Sequence, residues 1–240
     1  MVSDRDSTTF PSELIRWSGL ALLLGGVCIA LFVLVLYPVG GFFGAGPVHH
    51  PAWVPAHSLH FAGALLTLVG LIGLYARQWA RAGRLGLVGF LLALGGTAMF
   101  VGTGMLTAFV WPVLAAYAPA TIESSGAVFA PPASLLFYFT VLSLIPGYVA
   151  LGAATVRAGV LPRGGAVLLI VGVVLAILPP EPVGPVPWLG LVLGGVLFGA
   201  GEVWLGYALW STRAASDASA VAESLGVPGA LARQDTGSGG

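Results

Sequence analysis

The sequence predicts an all-α integral membrane protein of six transmembrane helices, built as three tandem helical hairpins. Three observations carry that reading. Charged residues make up 8% of the 240, where a soluble domain carries about 25%; hydrophobic residues make up 58% before the 36 glycines are counted. Six apolar runs, the fifth of them short, are read as crossing a hydrocarbon core of about 30 Å, which takes roughly 20 helical residues. The basic residues are all arginine, and they fall in alternate connections between those runs.

The runs are Trp17–Tyr37, His57–Ala76, Leu85–Trp111, Ser134–Val156, Ala166–Leu178 and Trp188–Trp210. Their Leu, Ala and Gly content and their lack of alternation favour helices over a barrel. The first run is too long for a signal-peptide core, follows the acidic stretch Asp4–Glu13 and is expected to be retained. Arg5 and Arg16 precede it; Arg77, Arg81 and Arg84 follow the second run; Arg157 and Arg163 follow the fourth; Arg213 and Arg233 follow the sixth. Excess arginine marks the cytoplasmic side, so both termini are expected there. The expected location is the plasma membrane of a bacterium or archaeon. The opposite connections hold all four histidines, Glu123 and Glu181. The organisation expected is a cytoplasmic segment over 1–16, a transmembrane domain over 17–211 and a flexible cytoplasmic tail over 212–240.

Within the domain, shifting the chain by 76 residues lays Arg81-Ala82-Gly83 on Arg157-Ala158-Gly159, and Pro55, Ser58, Leu59 and Phe61 on Pro131, Ser134, Leu135 and Phe137. A further shift of 56 lays Arg157-Ala158 on Arg213-Ala214. The odd-numbered helices share glycines seven residues apart. These matches predict three repeats of one orientation, over about 17–82, 83–158 and 159–213, around a pseudo-axis along the membrane normal.

Several chemistries are excluded. With no lysine there is no Schiff base. Cys28 is the single cysteine, so no internal disulfide or cysteine-based cluster can form. A net charge of zero gives no polybasic surface for nucleic acid. Neither a phosphate loop nor a nucleophile elbow nor an HExxH motif is present, so an enzyme active site is not expected.

Glu202 is the ionisable residue set deep inside a run, and a carboxylate there marks a functional site by default. The repeat offsets put Pro146 and Gly70 at its level, with Gly199, Ser143 and Thr67 one turn away. Glu202, Ser143, Thr67, Pro146 and Gly70 are therefore expected to line an internal polar cavity open to the outside, with Glu202 as a proton or cation site. A protonated Glu202 bonded to backbone, beside a packing kink at Pro146, is the alternative. His57 and His60 share a helix face, and with His49 or His50 they could hold a zinc or copper ion, or one of them a haem. Loop residues without a ligand are the plainer reading of these histidines.

The leading expectation is a small transporter- or channel-like protein. Its rivals are a non-catalytic membrane subunit or scaffold and a histidine-based metal or haem module. The partners implied are the lipid bilayer and either another membrane subunit or a second copy of the chain.

Overall fold

A computed structural model describes residues 12–36, 45–123, 126–177 and 189–224. Every regular element among them is helical. They are α1 (Ser12–Leu36), α2 (Ala45–Val48), α3 (Trp53–Met105), α4 (Trp111–Tyr117), α5 (Ala133–Ala158), α6 (Arg163–Ile177) and α7 (Leu189–Ser224). A π-helical turn (Leu106–Val110) joins α3 to α4, and two 3₁₀ turns, Pro119–Thr121 and Ala127–Phe129, precede α5. Tyr37, Gly44, Glu181, Trp188 and the chain from 225 onward lie outside the described residues. The backbone of α7 runs on to Ser224, into the segment expected to be a flexible tail.

Among the described residues, four helices are long and apolar enough to cross a membrane: Ser12–Val35, Trp53–Tyr117, Ala133–Ala158 and Leu189–Ser211. The stretch Arg163–Ala176 is apolar but shorter. At about 1.5 Å per residue the 15 residues of α6 rise roughly 22 Å, less than a hydrocarbon core.

Trp53–Tyr117 is not one straight rod. Gly83 breaks α3 with φ 58 and ψ −162, a conformation that only glycine adopts without strain. The two arms, A (53–82) and B (84–105), fold back on each other. Tyr75 stacks on Phe90 at 4.5 Å and Phe61 lies against Gly104, so advancing along one arm means retreating along the other; just past arm B, Phe61 meets Phe109 at 6.1 Å and Trp53 stacks on Trp111 at 5.9 Å. The matched triplet Arg157-Ala158-Gly159 does the same work at the end of α5, where Gly159 takes φ 63 as a left-handed cap.

Arm B reaches α4 through a second irregularity. The Trp111 N–H bonds the Leu106 carbonyl, five residues back, and Pro112 has no N–H to offer Thr107. The carbonyl this leaves on Thr107 accepts the indole N–H of Trp53 at 2.9 Å, which ties the outer ends of the two arms together.

Small residues set the remaining contacts, each between antiparallel neighbours. Ser18 and Gly25 of α1 meet Gly73 and Thr67 of arm A. Gly89 and Gly96 of arm B meet Leu151 and Leu144 of α5; Gly165 and Gly172 of α6 meet Leu205 and Phe198 of α7. Gly152 of α5 meets Ile170 of α6, while Gly19 and Gly26 of α1 meet Leu209 and Gly199 of α7. Among the described residues, α1, arm A, arm B, α5, α6 and α7 therefore close into a ring. A side chain at most of these positions would collide with the facing helix, which is how glycine serves helix contacts in an apolar medium. The outward faces carry exposed Leu24, Leu31, Val69, Leu91, Leu142 and Leu193, as lipid-facing helices require.

Candidate functional site

Glu202 lies on α7 and is completely buried. Its backbone sits against Gly26 of α1, where a β-carbon would collide with its own. Lacking a side chain there, α1 lets the carboxyl group pass behind it to arm A. The Thr67 hydroxyl of arm A donates to Oε2 of Glu202 at 3.1 Å, while Oε1 has no hydrogen-bond partner. α7 and arm A are not neighbours around the ring, so this bond crosses the interior.

Tyr148 of α5 faces the same place. It is buried, its hydroxyl shares a 2.8 Å hydrogen bond with Thr97 of arm B, and its ring stands edge-on to Phe198 of α7 at 4.9 Å. Phe198 precedes Glu202 by four residues on α7. Thr67 with Glu202 and Thr97 with Tyr148 thus form two buried polar pairs drawn from four segments.

Thr67 and Glu202 are brought together. Ser143 is buried on α5 five residues before Tyr148. Gly70 packs on Leu22 of α1 instead of on Glu202, and Pro146 lies on the exposed face of α5 beside Leu142. The reason is register. Gly96 meets Leu144 as Gly172 meets Phe198, and four residues beyond each partner stand Tyr148 and Glu202. The residue at the level of Glu202 is therefore Tyr148, two positions from Pro146. At 3.6 residues per turn, two positions rotate a side chain by roughly 200°, from the interior to the outside. A tyrosine deep in an apolar run was the signal available for this residue; nothing in the sequence pattern singles out Thr97.

The histidines divide into two pairs. His49 and His50 are exposed, and the Nδ1 of His50 accepts the Ala52 N–H at 3.1 Å. His57 and His60 are buried in the first turns of arm A. His57 stacks on Trp53 at 4.0 Å, its Nδ1 3.0 Å from that residue's carbonyl. His60 packs between Phe32 of α1, at 4.8 Å, and Phe100 of arm B, at 4.1 Å. Neither ring nitrogen of His60 has a hydrogen-bond partner. Among the described residues no three His, Cys, Asp or Glu side chains come together as metal ligands would. The two buried rings, 6.4 Å apart, supply two donors and Cys28 does not complete a set.

Below Glu202, away from the histidines, the buried residues are mostly leucines, with the buried, unpartnered Ser18 hydroxyl beside Gly73. Leu22, Leu71, Leu74, Leu151, Leu205 and Leu209 pack there as one buried cluster. Beyond it, Gln78 donates to the Thr155 hydroxyl at 2.9 Å, and that hydroxyl donates to the Leu151 carbonyl at 2.9 Å.

Compared with family models, curated proteins and solved structures, the chain has no significant match.

Proposed function

We propose that the chain is a six-span plasma-membrane protein, with both termini cytoplasmic, that binds a proton or small cation at Glu202 as a small transporter-like protein. The single observation that carries the function is the carboxyl group itself. A carboxylate at membrane depth costs about 2.5–3.5 kcal/mol on insertion scales, yet this one is fully buried, with one oxygen on Thr67 and the other unpartnered. Burial of that kind without a structural ion pair is what a site that takes up and releases a cation requires. The leucine cluster across the interior argues for an occluded transporter-like site over an open channel.

Six spans and a threefold repeat are supported by the reversal at Gly83 and by three hairpins of similar register. Ser18 and Gly25 pair with arm A as Gly89 and Gly96 pair with α5 and as Gly165 and Gly172 pair with α7. In the second and third hairpins a step of seven along one helix is a step of seven back along its partner; in the first it is six. The cytoplasmic side is assigned from the arginines: Arg77, Arg81, Arg84, Arg157 and Arg163 are exposed, and Arg16 lies 4.2 Å over the ring of Trp210.

The scaffold reading draws on a different observation: Leu135, Leu136, Phe137, Tyr138 and Phe139 are all more than half exposed at the start of α5. Flux separates the two readings. Purified protein in vesicles carrying an internal pH dye, driven by a pH or sodium gradient, should show flux above protein-free vesicles that is lost in Glu202→Gln. Flux equal to that of empty vesicles, or unchanged in Glu202→Gln, would replace transport with the scaffold.

A further inference from the structure

We infer that Glu202 exchanges its proton with the histidine end of the bundle only, and that His60 is the relay. This rests on the reading of Glu202 as a proton site. His57, His60, Ala64 and Thr67 follow one another at spacings of three and four along arm A, so they share one face. Thr67 at the far end of that line is bonded to Glu202. His60, 3% exposed, has neither ring nitrogen engaged, whereas the ring of His57 is anchored on the Trp53 carbonyl.

That difference is what a relay needs. An imidazole passes a proton on by accepting at one nitrogen while the proton on the other departs; a ring with a nitrogen held by backbone cannot do this freely. His60 would take a proton from the histidine end and release one toward Oε1 of Glu202. A tautomer exchange then returns the ring to its starting state, and the carboxyl group gains the proton. Seven residues separate His60 from Thr67, about 10.5 Å of helix rise, so bridging waters complete the path. Small Ala64 of arm A and buried Ser143 of α5 stand at the intervening depths.

In the other direction leucines stand between Glu202 and the next buried polar groups, Ser18 beside Gly73 and Gln78 with Thr155. Leu71 follows Thr67 by four residues, Leu151 follows Tyr148 by three, and Leu205 follows Glu202 by three, all within the apolar cluster. The titratable groups of this interior, besides His60 and Glu202, are His57 on arm A, Tyr148 on α5 and partly buried Cys28 on α1. Among the described residues, arm B and α6 bring none to it.

The test is hydrogen–deuterium exchange of the Glu202 carboxyl group, followed by infrared spectroscopy on the full chain in nanodiscs after a switch from H₂O to D₂O. The band is assigned by its loss in Glu202→Gln. In His60→Phe, where the new ring fits between Phe32 and Phe100, exchange should slow by about tenfold or more with the melting temperature unchanged. His60→Gln keeps hydrogen bonding without proton transfer; it should be slowed as well, and carries the test if the phenylalanine variant does not fold. Exchange at the wild-type rate in the folded variants overturns the relay alone. A wild-type band that never exchanges, or no band lost in Glu202→Gln, overturns the relay together with the proton site beneath it.

Discussion

Thr67 shows how one side chain is turned to a different use by its neighbour. Thr107, Thr140 and Thr155 donate their hydroxyls to carbonyls three or four residues back in their own helices, the usual fate of threonine in an apolar helix. Thr67 donates instead to a carboxyl group 135 residues away. Removing one partner of a buried hydrogen bond costs about 1–3 kcal/mol. Thr67→Val, nearly the same shape, should therefore lower the melting temperature, and Thr67→Ser should restore most of it; equal melting in all three proteins would mean the bond contributes nothing. The histidines lead to a second expectation. With two buried donors and no third ligand among the described residues, zinc or copper should bind no more tightly than micromolar. Submicromolar binding, lost in both His57→Ala and His60→Ala, would reveal a ligand that the described residues do not supply. Glu202 was legible in the sequence because ionisable residues are so scarce within the apolar runs. Tyr148 was not, because an offset read from matching letters was two residues away from the offset set by packing. On a helix that is enough to exchange the inside for the outside.

At the scale of elements, residues 77–84 look like a connection because three arginines interrupt the apolar run. Arg, Ala and Gln are good helix formers, so the backbone stays helical there until Gly83 breaks it. The arginines are exposed, and the glycine marks where the chain turns. A β-carbon on Gly83 would meet nothing within 4 Å, so its replacement acts through backbone strain alone. Gly83→Ala should cost about 1–3 kcal/mol in thermal or denaturant unfolding, while Gly95→Ala on the open face of arm B should cost nothing and stabilise slightly. Equal stability of the two variants would contradict the reversal at Gly83. The π-helical turn was not legible: it needs Pro112, a helix that would otherwise continue, and an indole 54 residues away to take the orphaned carbonyl.

At the scale of the molecule, the ring has an aromatic, histidine-bearing end, a middle with two buried polar pairs and a leucine-packed end. Phe32, Trp53, Trp111 and Ile122 close the first, and Leu74, Leu151 and Leu209 fill the last. Helical class and apolar runs were readable because composition and run length report them directly. The closing of α1 against α7 was not, since glycine spacing shows that a helix face is used but not which helix it meets. The six-span reading puts Glu123 on the side opposite Arg81 and Arg157. Reporter fusions at the two levels should give opposite signals, and a cytoplasmic signal at Glu123 would break the topology.

The central claim is that the Glu202 carboxyl group sits inside a membrane-embedded ring, held by Thr67. Infrared difference spectra of membrane-reconstituted wild type, Glu202→Gln and Thr67→Val test it most directly. A single carboxyl or carboxylate band should vanish in Glu202→Gln and shift in Thr67→Val as the donated hydrogen bond is lost. A spectrum that Thr67→Val leaves unchanged, with the Glu202 band in place, would contradict the account.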